Sequence, residues 1–557
     1  MAITTIEFAQ GRSSPSLPRI QLRSRQQART ALGPLTLMAA AAALACTPLA
    51  HANEFKFVPN VTVTETYTDN VGLASRGNER SDFVTSVAPG FTVTRDSARL
   101  KLRASYSLQA LFYANNTTGT SLSNSLDASA HGTLIQDLLL FDARASVNQQ
   151  NNSSFGPQSL SNVNVTNNRV ETRTYSISPY LEQRFGGVAV GQLRYAHEAV
   201  SSSDVNGSGT IGVGSNSVGL RNGTLGLGNS NTDRLGATLN SGPAFRTVNW
   251  GATASTQKTR ISDGDPVSQS QVGANVGYLV GPYLRATASA GYEKDTYVTL
   301  GDKPQGAFYN AGFIWTPSSR TNVTATAGHR FFGPTYALSV SHRARLATFN
   351  LNYNEDITST QAQAMLSQTI NTSDSLNQLL LASVPDPVAR QRLVDNLIQS
   401  QNLPVEIATA TNALTNRYFL QKNLQASVAL TGVRNTVLGS LFVTSREPQS
   451  GRPTGVVVVN GPFSGLDDNS RSYGASGVWS YKLSPRTVTN ANLSYTRSRS
   501  LDTDSTTTYK VARLGVTSAF QPKLNGTLEL RRTQQNSDLT GSNIRENAIT
   551  ASVRMQF

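Results

Sequence analysis

Beyond the first 52 residues the chain holds four histidines, His131, His197, His329 and His342. Histidine is the usual general base and the commonest metal ligand. None of the four stands in a His-x-x-x-His or similar spacing. Each falls within or at the end of a strand-like pattern, so a belt or lumen position accounts for them better than catalysis. His197 shares its parity with Leu193 and Tyr195, and His329 with Val323, Ala325 and Ala327. Carboxylates gather in Ser262-Asp263-Gly264-Asp265 and Leu466-Asp467-Asp468-Asn469. Such loops can bind hard cations, but neither completes a calcium-loop pattern, and solvated turn residues are the plainer expectation. The Gly-rich stretch 206–215 lacks the Lys-Ser/Thr that closes a phosphate loop. Cys46 is the single cysteine, so disulfides and thiolate metal sites are excluded. No catalytic residue, metal ligand or cofactor is assigned.

Charges carry more information. Arg103, Arg285, Glu293, Glu529, Arg531 and Arg554 all fall on the polar face of alternating segments. If those faces line a pore, Arg rings favour anionic solutes or an anionic polymer. The competing expectation is that Arg pairs with carboxylates such as Glu293 and Glu529, leaving no net preference.

Alternation is what positions these residues. Leu100, Leu102, Ala104, Tyr106, Leu108, Ala110 and Phe112 share one face, against Lys101, Arg103, Ser105, Ser107 and Gln109. Leu284, Ala286, Ala288, Ala290 and Tyr292 oppose Arg285, Thr287, Ser289 and Glu293. Leu524, Gly526, Leu528 and Leu530 oppose Asn525, Thr527, Glu529 and Arg531. Period two marks β-strands. A tilted membrane crossing needs about 9–11 residues, and these runs are long enough. The pattern recurs along nearly the whole chain. The expected fold is therefore all-β: a transmembrane antiparallel up-and-down β-barrel of about 22 strands, with a range of about 18–24.

Composition agrees. The 557 residues are only 38% hydrophobic, and no long apolar run follows the N-terminus, which excludes a helical membrane protein. A disordered chain would lack both the periodicity and the 18 Tyr and 20 Phe. The formal charge is +14; residues 1–52 carry five Arg against Glu7, so +10 remains. The basic residues are dispersed, which argues against nucleic acid as a partner and for anionic lipid sugars or a basic lumen.

Short turns should alternate with long loops. Asp96-Ser97, Gln136-Asp137, Gly186-Gly187, Gly281-Pro282, Ser484-Pro485 and Pro522-Lys523 read as inner turns. Stretches 70–80, 151–168, 203–224, 262–267, 446–469 and 536–543 read as outer loops. Residues 361–413 break the rule with helical character: Asp386-Pro387 reads as a helix start, and Leu393, Val394, Leu397 and Ile398 as an apolar stripe. Ser375 to Leu381 carries another. Parity makes this insertion extracellular or folded into the mouth, either as a lid or as a loop with a small satellite core.

An Arg-bearing start, an apolar run from Ala31 to Ala50 and the small residues of Ala50-His51-Ala52 read as an export signal. Cleavage is expected after Ala52, leaving Asn53 first. Lipid attachment at Cys46 is the rival, and mass spectrometry of the mature N-terminus separates the two. The expected domains are 1–52 signal peptide and 53–557 barrel, with 361–413 inserted. The chain ends with Ile549, Ala551, Val553, Met555 and Phe557 on one face. A terminal aromatic preceded by alternate apolar residues is similar to the recognition signal of outer-membrane barrels. The expected partners are outer-membrane lipid, lipopolysaccharide, the barrel-assembly machinery, and an anionic polysaccharide or small solutes.

The first mature strand reads FKFVPNVTVTETYTDNVGLAS. Its core, Glu65-Thr66-Tyr67-Thr68-Asp69-Asn70-Val71, and the following RSDFVTSVAPGFTVTRDSARLKLRASYSLQALFYANN resemble an outer-membrane family that accompanies exosortase/PEP-CTERM protein-sorting and exopolysaccharide loci. They are also similar to β-barrel porins of the "porin 2" type. The resemblance implies an outer-membrane barrel tied to polysaccharide or sorted-protein export, and it supplies no catalytic residues. The expected function is a non-enzymatic pore or export component. The alternative is a surface structural or polysaccharide-binding barrel with a plugged lumen.

Overall fold

The computed structural model describes residues 55–557 except 116, 118, 205–228, 263–265, 298, 300–302, 366–369, 372–375, 378–379, 381–389, 391–393, 395–405, 409–416, 451–462 and 464. The expected cleavage residues Ala50, Ala52 and Asn53 lie outside the described residues, as do Asp386-Pro387, Leu393, Leu397 and Ile398.

In chain order the strands are β1 (Lys56–Thr68), β2 (Asp82–Asp96), β3 (Leu100–Tyr113), β4 (Ser121–Ile135), β5 (Leu139–Asn151), β6 (Arg169–Phe185), β7 (Ala189–Asp204) and β8 (Ser230–Ser241). Next come β9 (Val248–Ile261), β10 (Val267–Gly281), β11 (Leu284–Asp295), β12 (Gln305–Ser318), β13 (Thr321–Arg330), β14 (Gly333–Arg343) and β15 (Ala347–Ser359). The long insertion follows, with a short helix α1 (Thr360–Met365) and a two-stranded pair, β16 (Ile370–Asn371) and β17 (Glu406–Ala408). The last strands are β18 (Tyr418–Thr431), β19 (Asn435–Pro448), β20 (Ser470–Lys482), β21 (Thr487–Ser500), β22 (Thr506–Gln521), β23 (Leu524–Ser537) and β24 (Ile544–Gln556).

Each large strand pairs antiparallel with the next, β15 pairs with β18 across the insertion, and β24 pairs back with β1 from Asn60↔Gln556 to Thr68↔Ala548. The result is a closed, 22-stranded meander. Closure removes the free edges that an open sheet would leave unsatisfied in lipid.

Outward positions are apolar and exposed, as at Leu122, Ile177, Val272, Leu441, Leu493 and Leu528. In water such a surface would aggregate; around a closed barrel it is a lipid-facing band. Aromatic residues rim it at both heights. Phe185, Tyr283, Phe520 and Phe557 lie near the short turns, and Tyr67, Phe83, Tyr175 and Tyr473 near the long loops. The fold is thus a transmembrane barrel of the outer-membrane type.

Connections on one side are brief, such as 97–99, 186–188, 282–283 and 522–523, and those on the other side include 69–81, 152–168 and 360–417. Asp137 and Gly186 take left-handed backbone at two of the tight turns. The long side has one short exception, 331–332 between β13 and β14.

The helical expectation for 361–413 agrees with the described residues: after α1, Leu376, Asn377, Leu380, Arg390 and Val394 are all helical. The insertion opens with α1, capped by Ser359, whose Oγ accepts the Ala362 N–H at 3.3 Å. Contacts with the wall bury its apolar side chains Leu376 and Val394.

Candidate functional site

The inward face of the barrel is the candidate site, and two segments fold into it. Loop 152–168, expected outside, turns inward instead. Its apolar side chains explain why: Phe155 is fully buried, and Val163 packs with Val71, Val84, Leu111 and Tyr113. Asn168 shapes the loop, accepting the Ser153 N–H at 2.8 Å and donating to the carbonyls of Ser153 and Pro157 at 2.9 and 3.1 Å. A Cβ at Gly156 would stand 2.6 Å from Asn168 Cγ, so only glycine passes there.

The loop is then tied to the wall by polar contacts. Asn162 Nδ2 donates to Gln109 Oε1 (2.8 Å) and Ser123 Oγ (3.0 Å) on β3 and β4. The Gln158 N–H donates to Gln535 Oε1 at 3.2 Å, and Tyr509 donates to the Gln158 carbonyl at 3.2 Å. Glu546 is the hub. Its Oε1 accepts from Asn164 Nδ2 (2.7 Å), Thr68 Oγ1 (2.8 Å) and Arg531 Nη2 (2.9 Å), and it is 2% exposed.

The loop also meets the connection between β19 and β20. Ser153 Oγ donates to Asp467 Oδ2 at 2.6 Å, and Asp468 takes Arg417 Nη1 at 2.9 Å. These two carboxylates were expected to be solvated; both are buried instead. Burial pushes the Asp467 carboxyl above its ordinary value, against the pull of Ser153 and Arg446.

The second segment is the insertion. α1 touches β15 and also β6 and β7 on a distant part of the wall. Gln363 bonds Gln421 of β18 and accepts from Arg446 Nη2 at 3.1 Å. Deeper, Leu376 and Val394 pack on Ala429, Leu438 and Val478. Ala429 pairs with Leu438 only two residues from the end of β18, beside the short turn 432–434. The insertion therefore reaches from the outer rim nearly to the inner one.

The wall of β9–β14 presents Gln271, Asn275, Ser289, Asn310 and Thr326 around two adjoining cavities of about 320 and 140 Å³. Asn310 Nδ2 lies 3.4 Å from Ser289 Oγ. Above them, Arg330 bridges Glu293 at 2.6 Å and Asp356 at 2.7 Å.

The expected lumen charges all have inward parity, and Arg–carboxylate pairing occurs at Glu293 and at Arg531. Glu293 takes Arg330 and Arg531 takes Glu546, while Arg285 Nη1 donates to Asn249 Oδ1 at 2.6 Å. Glu529 is half-buried, and Arg554 is exposed near the short-turn rim. Arg103 is half-buried on β3. Partner identity was illegible because it depends on which strands adjoin.

The expected assembly residues Val553, Met555 and Phe557 face outward, and the Phe557 N–H donates to the Pro59 carbonyl at 3.0 Å. The segment 65–71 builds the seam. Glu65 accepts from Thr85 Oγ1 (2.7 Å), and Tyr67 packs on Phe83 with centroids 4.9 Å apart. Asp69 takes the N–H and Nδ2 of Asn547 (2.7 and 2.6 Å). Asn70, fully buried, donates to the carbonyls of Ala74 (2.8 Å) and Arg545 (3.0 Å).

Of the histidines, His131 pairs inward with Asp142 at 2.7 Å. His197 faces outward at 2.8 Å from Asp233, and His329 and His342 stack on Tyr309 and Phe349.

Arg330, Glu546, Arg446 and the inward loop 152–168 were missed from sequence. Apolar residues on both faces of a strand, as in Leu111-Phe112-Tyr113 and Phe83-Val84, were the signal that something covers the inner wall.

No family model and no curated protein matches the sequence. Among solved structures, the siderophore receptor PirA from Pseudomonas aeruginosa is similar over 91% of this chain and 81% of its own, at 10% identity and TM-score 0.44. The FrpB iron transporter from Neisseria meningitidis is similar over 90% and 83%, at 11% identity and TM-score 0.45. At these values no property of either transfers to this chain.

Proposed function

We propose that this chain is a non-enzymatic outer-membrane conduit held narrow by two inward-folded segments and opened by displacing loop 152–168. The observation that carries the reading is how that loop is held. Its tethers are mostly individual hydrogen bonds at Glu546, Asp467, Gln535 and Gln109. The neutral bonds among them exchange with water at small net cost, and the bond to Glu546 contributes more, about 1.5–3 kcal/mol. The amide and hydroxyl lining at Asn275, Ser289, Asn310 and Thr326 suits a hydroxyl-rich cargo. An extracellular polysaccharide is the cargo we favour, supported by that lining and by the resemblance of segment 65–71 to the exosortase/PEP-CTERM-associated family.

The competing reading is a surface barrel that binds polysaccharide with its lumen permanently plugged. The packing of Leu376 and Val394 on the inner wall favours it. Gene deletion, with secreted polysaccharide and solute permeability measured separately, distinguishes them. Loss of secretion supports the conduit. Unchanged secretion with unchanged permeability rejects it in favour of the plugged barrel.

A further inference from the structure

The lipid-facing surface carries a feature unrelated to the lumen. On β20–β24 the outward positions near the long-loop end hold Arg471, Arg497, Arg499, Lys510, Arg532 and Arg545. No outward position on these five strands is a carboxylate. On other sectors several outward bases have a carboxylate beside them: Arg173 has Glu171 (2.6 Å), Arg260 has Asp233 (2.7 Å) and Lys422 has Glu447 (2.9 Å). Among the described outward residues of this sector, Arg499 alone has a carboxylate beside it, the exposed Asp504 at 2.8 Å.

Register places the bases together. Ala475, Tyr495, Lys510, Gln534 and Arg545 form one row across the strands, and Gly477, Leu493, Ala512, Arg532 and Asn547 form the next row toward the short turns. With strands about 4.8 Å apart, the bases from β21 to β24 span about 15 Å, the scale of a phosphorylated disaccharide headgroup.

Their height is also set. Lys510 stands ten residues above the exposed Phe520 on the same face of β22. At about 3.4 Å per residue and a tilt of about 40°, that is about 26 Å, one apolar band height. The bases therefore sit at the outer-leaflet headgroup level. Just below them runs a groove of about 530 Å³ lined by Ala475, Gly477, Leu493, Tyr495, Ala512 and Arg532. A Cβ on Gly477 would meet nothing, so the groove is open to lipid.

We infer that this sector binds one phosphorylated glycolipid of the outer leaflet, with its phosphates on Arg497, Lys510, Arg532 and Arg545 and an acyl chain in the groove beside Gly477. The site holds whichever cargo the lumen takes. Clustered bases at a headgroup boundary are how membrane proteins select anionic lipids.

The test uses the purified full barrel in neutral detergent, titrated with diphosphorylated lipid A and followed by native mass spectrometry. Wild type binds one lipid A. A triple variant, Arg497→Gln with Lys510→Gln and Arg532→Gln, binds it about 100-fold more weakly, since each base near an anionic headgroup supplies several-fold in affinity. Gly477→Leu fills the groove without touching charge and weakens binding independently. Lys258→Gln with Lys294→Gln, outward on other strands, leaves it unchanged. Heat-modifiable migration on gels checks that each variant is folded. Equal binding by the triple variant and wild type, equal competition by phosphatidylglycerol, or displacement by inorganic phosphate would each overturn the inference.

Discussion

Asn164→Ala separates a gate from a fixed plug. Asn164 is 1% exposed, and its Nδ2 donates to Glu546 Oε1 at 2.7 Å. The substitution removes that bond and leaves Glu546 with Thr68 and Arg531, so no buried charge loses all its partners. A hydrogen bond to a charged group contributes about 1.5–3 kcal/mol. Only the inward position of loop 152–168 makes this bond, so the inward-to-displaced ratio should fall about 10- to 150-fold. Single-channel recording in planar bilayers reads this directly as more frequent or longer openings. Asn167→Ala, at an exposed residue of the same loop, is the control and should match wild type. Folded Asn164→Ala barrels with wild-type traces would refute displacement of the loop as the gating motion. Glu546→Ala is a different perturbation: it strands Arg531 in the wall and should cost about 3–5 kcal/mol of barrel stability.

Other outcomes follow from the same geometry. Burial raises the Asp467 carboxyl above 3.8, so its contribution to the inward state is fully present below that value and is lost as pH rises through the folded value. Openings should become more frequent across that rise, and Asp467→Asn should flatten the dependence; an unchanged profile in the variant would discard it. Gly156→Ala forces a methyl against Asn168 and should cost about 1–3 kcal/mol locally, read as faster hydrogen exchange in 152–168 than in β5 or β6. Phe557→Ser should lower membrane assembly yield while leaving the melting temperature of the inserted fraction unchanged, because the ring is exposed; wild-type yield would remove the assembly role. Arg285→Glu should shift the bilayer reversal potential toward cation preference, and no shift would show that the inner wall at Asn249 does not set selectivity.

Legibility from sequence followed the range of the interaction involved. The parity of Leu100–Phe112 and Leu284–Glu293 predicts which side chains face lipid, since a strand alternates by its own backbone geometry. Their correct placement needed no knowledge of neighbours. Asp467 and Asp468 failed for the opposite reason. Two adjacent carboxylates in a Gly-containing loop look solvated, and only the arrival of Ser153 and Arg417 from distant parts of the chain makes their burial tolerable. Loop 152–168 was misplaced because its Asn and Ser content suits water and a polar lumen equally well. Phe155 and Val163 spoke for burial, but isolated apolar residues in a polar loop are weak evidence.

By itself, the amino-acid order determined strand identity, the inward or outward face of each position and the alternation of turns and loops. These depend on a two-residue period and on local turn chemistry. The tertiary structure alone decided that β24 closes on β1 through Asp69, Asn70 and Asn547, that Glu293 belongs to Arg330 and Arg531 to Glu546, and that two loops fill the lumen. Those outcomes depend on contacts between residues up to several hundred positions apart. Barrel closure brings Asp69 to Asn547, strand pairing sets Arg531 beside Glu546, and burial then makes each pairing matter.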